Sequence, residues 1–499
     1  MRSRFLCIFL LYCSSSFSSI IVRGFRQQSL LSQTQKAFNH KHNLSLPTKN
    51  TIKTSMVMTI ATDDEKKFRI LGNGSGIRSI VDDYDVFLLD MWGVMHDGNQ
   101  PYLGVQEVVQ KLKSYNSNIN DNNNDNNVGG QKKKEKKLII LSNSSKRKID
   151  SVKMLQQLGF NENDFDEIIT SGEVAHHLLQ YLSSKIPSLL PLPLPSSSWV
   201  PKNIPNIFQD LRSRNDNDNN KETYKAFCFG SGDEDEIYLN SCGWTLETNN
   251  IKNANLIVCR GPFVIHQKQQ NDDSNSHDDN INNNFVDKRI NEKLYWSTYH
   301  DVLDQAARLR IPMIVCNPDK IRPDANKSPM PGTIGVAYEE LLFKYHGGNN
   351  SNNNDNKDLF DDSLVLYLGK PFPSVYEIAL SSLTTSSDDS DDDDTNTNIN
   401  KSRVAMVGDA LETDITGASM AGIDSIWVIK DGIHNQDVIA AATICNNYND
   451  TSASSTNPSL SSMENECETV LQDFNQNSET TYAKGRQVSP TFVIPHFRW

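Results

Sequence analysis

The sequence predicts an α/β fold: a doubly wound parallel sheet with a second α/β unit inserted into it. Three observations carry that expectation. Short, continuous apolar runs recur at residues 85–90, 138–142, 167–171, 364–369, 404–409 and 425–429, and uninterrupted apolarity is the mark of strands buried on both faces. Segments with helical spacing separate them, at residues 105–115, 148–158, 174–182, 374–383 and 414–421. Between residues 183 and 362 the alternation starts again, as expected of a second α/β unit.

Each element has its own warrant. Val86-Phe87-Leu88-Leu89 ends at Asp90 and runs into a Gly turn, placing a carboxylate where an α/β sheet carries its chemistry. Leu138-Ile139-Ile140-Leu141 ends in Ser142-Asn143-Ser144, and Thr170-Ser171-Gly172-Glu173 opens the helix after the third strand. Leu364–Leu368 is an apolar run that ends in Gly369-Lys370-Pro371, and Val404-Ala405-Met406-Val407 ends in Gly408-Asp409, with Asp414 five residues on. In the inserted unit, residues 225–230, 256–260 and 313–316 read as strands and 301–308 as helix, and 333–345 follows a Pro-Gly turn. Residues 490–499 have an apolar, strand-like character but no motif.

Composition separates a globular frame from polar insertions. Hydrophobic residues make up 37% of the 499, against about 45–50% in ordinary globular chains on a count that includes Gly. The shortfall lies in Asn/Asp/Ser-rich tracts at residues 116–127, 215–220, 271–284, 349–356, 386–400 and 446–480, which are expected to be solvated loops. Without them the chain is the size of a two-domain enzyme. The formal net charge of −13 argues against nucleic acid as a partner. The lysine run at 132–137 is expected to be a solvated loop entering the next strand. None of the eight cysteines forms a C-x-x-C pair, so buried reduced thiols are expected rather than a metal or disulfide framework.

The N-terminal stretch reads as an address. Met1-Arg-Ser-Arg precedes a short apolar run at 5–12, then small residues and Phe17, and no acidic residue occurs before Asp63. A signal-like start joined to a transit-like region is similar to the bipartite leaders of plastids derived from secondary endosymbiosis. A mitochondrial presequence is the main alternative and plain secretion the third. No later run is long enough to span a membrane.

Taken together, the motifs carry a family resemblance. Asp90-Met-Trp-Gly-Val-Met-His-Asp-Gly, followed by Pro101 and Gly104, resembles motif I of the haloacid dehalogenase-like (HAD) hydrolases in its class IIA form. Ser142-Asn143, Lys370-Pro371 and Gly408-Asp409 with Asp414 resemble motifs II, III and IV, in the expected order. Asn317-Pro318-Asp319 and Met330-Pro331-Gly332-Thr333 resemble the fingerprint of a C2-type cap. The resemblance spans residues 85–434, less the insertions. It implies core halves at 63–182 and 363–445 and a cap at 183–362, beside the leader at 1–62 and the low-complexity insertion and tail at 446–499 read from composition.

The resemblance also implies a chemistry. Asp90 would be a nucleophile forming an aspartyl-phosphate. Asp90, Asp409, Asp414 and the Trp92 backbone carbonyl would hold Mg²⁺, a cation that takes hard oxygen ligands. Lys370 would neutralise the nucleophile and the transferring group. Ser142 and Asn143 would bind phosphoryl oxygens, and Asn317 and Asp319 the rest of a small phosphorylated metabolite. Bland readings stand beside these: a helix N-cap for Ser142, and a shaped proline turn for Asn317 and Asp319. Trp92 departs from the pattern, because the residue two positions after the nucleophile is the acid/base in HAD phosphatases. Indole is a donor that does not titrate near neutrality. His96 and Asp97 are the nearby groups suited to replace it. A class IIA subgroup is similar in carrying Asp-x-Trp-Gly-Val. Three functions follow as expectations: a Mg²⁺-dependent phosphatase, a catalytically weak or inactive phosphometabolite-binding protein, and a non-phosphate hydrolase using Asp90. A homodimer through the cap is implied by resemblance alone.

Overall fold

The computed structural model describes residues 68–71, 76–115, 135–184, 199–213, 224–232, 234–268, 285–322, 328–347, 363–383, 399–448, 460–478 and 481–499. The predicted leader and the polar tracts at 116–127, 215–220, 271–284, 349–356 and 386–398 lie outside the described residues. The first sheet has seven strands, all parallel. In spatial order they are Arg69–Ile70, Phe492–Ile494, Asp424–Val428, Val404–Gly408, Val86–Leu89, Lys137–Ser142 and Glu167–Thr170. All four residues of Val86–Leu89 and all five of Val404–Gly408 are buried, as continuous apolar runs require when helices cover both faces. These two strands are neighbours, with Leu89 opposite Val407, and the Asp90 N–H donates to the Val407 carbonyl at 2.9 Å. Chain order reverses direction across the sheet beside Val86–Leu89, which makes its C-terminal end the switch point where α/β sheets bind ligands.

The second sheet runs in the order Val365–Tyr367, Met313–Val315, Leu256–Cys259, Lys225–Gly230, Val264–Ile265, Val286–Asp287, with Thr245–Leu246 also paired to Lys225–Gly230. The strand over residues 364–369, expected in the core sheet, is therefore an edge strand of the cap, paired in parallel with Met313–Val315. Its apolar pattern meets the burial demand of either sheet, so pattern alone could not assign it. Lys370 consequently stands at the point where the chain leaves the cap sheet for the core.

Two further expectations need correcting, those for residues 446–480 and for the lysine run, whereas the tail read as strand-like does supply a strand. Residues 446–480 are not simply a solvated tract: Leu460–Gln476 is an α-helix that buries Cys467, Val470 and Leu471 against Trp427 and Val493. The motif-free tail supplies Phe492–Ile494, an internal strand of the core sheet. The lysine run also enters its strand differently from expectation, since Lys136 is buried and donates to the Tyr84 carbonyl at 2.6 Å. Cys228, Cys242, Cys259, Cys316 and Cys467 are free and buried. Among the described residues no helix is long and apolar enough to cross a membrane.

Core and cap share apolar packing. The helix Ser171–Ser183 follows the core strand Glu167–Thr170, with Thr170 as its N-cap accepting from the Glu173 N–H at 3.1 Å. Its Leu178, Leu179 and Leu182 belong to one buried cluster that contains Leu88 and Ile139 of the core together with Cys228, Leu239, Trp244 and Val258 of the cap. Polar bonds cross the same seam: Tyr238 Oη donates to the Gly172 carbonyl at 2.7 Å and Trp244 Nε1 to the Leu179 carbonyl at 2.9 Å. Truncating a fully buried leucine here removes packing from both units, and Leu179→Ala should cost about 2–5 kcal/mol. Urea unfolding followed by tryptophan fluorescence and by far-UV circular dichroism should give one coincident transition in both proteins, at lower urea for the variant. Two separated transitions would show that cap and core fold independently.

Candidate functional site

The residues at the switch point converge on Lys370. Its ammonium lies 2.6 Å from Asp90 Oδ1 and 2.7 Å from Asp414 Oδ1, and its side chain is 2% exposed. Asp90 arrives from the end of Val86–Leu89, Asp409 and Asp414 from the end of Val404–Gly408, and Lys370 from the cap-to-core crossing. Asp409 Oδ2 accepts the Ile433 N–H at 2.7 Å, and Asp414 Oδ2 accepts the N–H groups of Asp409 and Ala410 at 3.1 and 3.0 Å. Oxygens of Asp90, Asp409 and Asp414 all lie within 4.8 Å of one another. Three carboxylates thus face one ammonium in a buried space.

That imbalance sets the local electrostatics. Burial raises the Asp90 carboxyl to about 7, against the lowering effect of Lys370 and with a further push from Asp414. Burial, then Asp414 and Asp90, drive Asp409 well above the usual carboxylate range. Burial alone would strip Lys370 of its proton, but Asp414 and Asp90 outweigh it and hold the ammonium charged. The donor set consists of hard carboxylate oxygens with excess negative charge, which fits a divalent cation of the Mg²⁺ type. Glycine geometry brings the backbone of motif I into the same place. Gly93 has φ +87°, and a Cβ there would lie 2.2 Å from Asp409 Oδ2. The Trp92–Gly93 backbone therefore sits against Asp409, and among the described residues no hydrogen bond is donated to the Trp92 carbonyl.

The expected phosphate-binding residues have more structural roles than their motif implies. Asn143 is a brace: its Oδ1 accepts the Lys370 N–H at 2.7 Å, and its Nδ2 donates to Asp319 Oδ1 at 2.8 Å and to the Lys370 carbonyl at 3.0 Å. Its amide is committed to the protein, which corrects the expectation that it binds substrate. Ser142 Oγ accepts the Ser144 N–H at 3.3 Å, within its own turn. It is not a helix N-cap, because the next helix starts at Lys148 with Arg147 in the cap position. Asn317 Oδ1 accepts the Asp319 N–H at 2.8 Å and so shapes the proline turn. Asp319 reaches across to Asn143, and burial raises its carboxyl to about 6, opposed by Asn143 and Lys370.

The two stand-ins for the missing acid/base are held elsewhere. Asp97 Oδ1 accepts the N–H groups of Asn99 and Gln100 at 2.8 and 2.9 Å, and those bonds hold its carboxyl below the usual range. His96 is buried, its Nδ1 accepts the Gly98 N–H at 2.9 Å, and burial lowers it to about 4. No hydrogen bond or ion pair joins either residue to Asp90, Lys370, Asp409 or Asp414. Trp92 itself packs beside His96 at 6.2 Å between ring centroids, with the Arg322 guanidinium of the cap 4.9 Å from its ring. Composition and motifs did not flag Arg322, Lys320, Glu412 or Tyr482, all of which sit around this junction. Cation–aromatic and cross-domain contacts leave no local sequence signal.

A second buried cluster, in the cap, has a different character. Asp235 accepts from Arg260 Nη1 at 2.6 Å and from the Ser231 and Gly232 N–H groups at 2.8 and 2.9 Å, and pairs with His266 Nε2 at 3.0 Å. Its oxygens are satisfied and its charge is balanced by Arg260, so it ties the cap loops together rather than offering a cation site.

Residues 87–188 match the family model described as haloacid dehalogenase-like hydrolase, and residues 367–451 match the one described as HAD-hydrolase-like. The candidate catalytic and metal-ligating residues fall within these two matches. The first match contains Asp90 and Ser142, the second Lys370, Asp409 and Asp414, and most of the cap lies between them. No curated protein matches the chain. Solved structures similar to it include a haloacid dehalogenase-like hydrolase from Brucella suis (19% identity, 72% of this chain and 91% of that chain, TM-score 0.42). A possible sugar phosphatase from Cytophaga hutchinsonii shares 14% identity over 87% and 99% of the two chains, with TM-score 0.46. For 4-nitrophenylphosphatase from Thermotoga maritima the values are 17%, 84%, 96% and 0.40.

The raised carboxylates give a signed expectation. A carboxyl whose folded pKa exceeds its unfolded value binds protons more tightly when folded, so ionising it as pH rises through the folded value removes stability. Mg²⁺ should stabilise the protein more at pH 7.5 than at pH 5.5, because it competes with the protons that the raised Asp90 and Asp409 carboxyls bind more tightly at the lower pH. At ~100-fold the dissociation constant the gain is about 2.7 kcal/mol, a rise of several degrees in Tm. Thermal melts with and without Mg²⁺ at the two pH values check this, and Asp409→Asn should abolish the difference. An equal Mg²⁺ effect in Asp409→Asn would place the cation elsewhere.

Proposed function

We propose that the chain is a Mg²⁺-dependent hydrolase of a small phosphate ester, working through an aspartyl-phosphate on Asp90. The observation that carries this reading is the buried constellation of Asp90, Asp409 and Asp414 around Lys370. Asp90 and Asp409, with the Trp92 carbonyl, would hold the cation, and Asp414 would support it while fixing the Lys370 ammonium. When bound, the cation neutralises carboxylate and phosphate charge, so the nucleophile stays ionised beside an anionic substrate.

The residues of the chain account for the rest. A carboxylate oxygen of Asp90 forms a bond to phosphorus as the bond to the ester oxygen breaks, and the leaving oxygen departs with the electron pair. Water then attacks the phosphorus of the acyl phosphate, the phosphorus–Asp90 bond breaks, and inorganic phosphate and the free carboxylate result. Lys370 balances charge on Asp90 before attack and on the phosphoryl oxygens after it. The Asn317–Lys320 turn of the cap meets the core at Asn143, one residue past the end of the strand Lys137–Ser142, which favours small substrates over phosphoproteins.

Trp92 decides which esters react. With no titratable group two residues after Asp90, with Asp97 committed to its own turn, and with neither Asp97 nor His96 bonded to Asp90 or Lys370, protonation of the leaving oxygen has no assigned donor. Losing a general acid/base typically lowers rate by ~10²–10⁴. Aryl phosphates, whose leaving groups need little protonation, should therefore be turned over far better than alkyl phosphates. The same observation favours one further reading, a phosphometabolite-binding protein on a hydrolase frame.

Hydrolysis of a panel of aryl and alkyl phosphates, with and without Mg²⁺, tests both. Turnover is expected only with Mg²⁺, and Asp90→Asn should lower it by about 10⁴-fold or more. Trp92→Asp should raise alkyl-phosphate turnover by about 10²-fold and leave aryl-phosphate turnover nearly unchanged. No turnover, with vanadate or phosphate still raising Tm, would favour the binding protein.

A further inference from the structure

Tyr482 lies in residues 481–499, beyond the helix Leu460–Gln476, in a part of the chain to which no motif points. Its hydroxyl donates to the Pro318 carbonyl at 2.8 Å, and its backbone N–H donates to Glu412 Oε1 at 3.2 Å. The same Glu412 oxygen lies 2.6 Å from Lys320 Nζ, and that ammonium is 4.5 Å from the centre of the Tyr482 ring. The ring also packs on Tyr367 and Phe372, at 5.5 and 5.3 Å between centroids, and those two stack on each other at 5.2 Å.

These partners belong to three segments that build the site. Pro318 and Lys320 flank Asp319 in the cap turn, Phe372 lies two residues past Lys370, and Glu412 lies between Asp409 and Asp414. Through its side chain the cap turn reaches the motif residues in one place, the 2.8 Å bond from Asn143 to Asp319. One hydrogen bond to a carboxylate contributes only about 1.5–3 kcal/mol. Tyr482 and the Lys320–Glu412 pair supply the further attachment.

We propose that Tyr482 is a positioning residue: it clamps the Asn317–Lys320 turn to the core, keeping Asp319 and Asn143 in register with Lys370. Its kinetic consequence rests on the phosphate-ester reading above; its structural consequence does not. Substrate binding then depends on a side chain that touches none of the motif residues.

The test uses the full chain with Tyr482→Ala and Tyr482→Phe, the second keeping the ring stack and losing only the bond to Pro318. Hydrogen exchange is followed at Asp319, Arg322, Met330 and Gly332, whose amides are bonded within or beside the turn. Exchange should quicken about 10-fold in Tyr482→Ala and about 3-fold in Tyr482→Phe, as expected for lost contacts of this size. Strand Lys137–Ser142 should keep its protection, which shows that the variants fold. With an aryl phosphate, KM should rise by a similar factor while kcat changes little, and Tyr482→Phe should fall between wild type and Tyr482→Ala. Unchanged exchange at the turn in Tyr482→Ala overturns the clamp. If the wild-type protein turns over no ester, the phosphatase reading fails, and the exchange data alone decide the clamp.

Discussion

The buried ammonium of Lys370 is the interaction on which the site depends. It touches Asp90 and Asp414 at once, and its backbone N–H and carbonyl are both bonded to Asn143. The strand ending at Asp90, the Asp409–Asp414 turn, the Ser142–Asn143 loop and the cap sheet thus meet on one residue. A buried lysine without partners would lose its proton; here two carboxylates keep it charged, and it in turn makes their burial tolerable. The compensation is incomplete, because three carboxylates share one cation. The residual negative charge prepares the space for a second positive centre, and the close approach of Gly93 and Gly432 to Asp409 leaves that carboxylate little freedom to move away.

Much of this was legible in the sequence, for reasons that differ by residue. Strands buried on both faces must be apolar throughout, and the polar residue ending each run marks the strand's C-terminal end. Asp90, Ser142 and Asp409 were accordingly placed at the C-terminal ends of strands by pattern, and the structure makes those strands neighbours. The strand at 364–369 was assigned to the wrong sheet because both sheets impose the same burial pattern. Asn143 and Asp97 were misread for another reason. A polar side chain near a site can serve substrate or backbone, and only the partner atoms tell which. The helix Leu460–Gln476 was hidden by its polar composition, although Met463, Cys467, Val470, Leu471 and Phe474 recur along it at helical spacing.

Trp92 and the cap belong to one physical picture. The indole gives up proton transfer and gains a ring on which the Arg322 guanidinium of the cap can rest. The shared apolar cluster on helix Ser171–Ser183 and the polar bonds from Tyr238 and Trp244 join the same two units on another face. A cap joined this way is part of the wall of the site.

The pairing of Arg69–Ile70 with Phe492–Ile494 has a consequence for how the molecule comes into being. The first strand has no neighbour in the core sheet until the tail arrives, and the tail is also the partner of Asp424–Val428. A chain emerging from the ribosome N-terminus first can assemble the switch point and the cap while one flank of its sheet stays open. That open flank is a template for pairing with other chains. Completion waits for Phe492–Ile494, so a chain truncated before that strand would keep every motif and still expose an unpaired sheet edge. Quality control acting on such edges would discard it before its chemistry was ever tried.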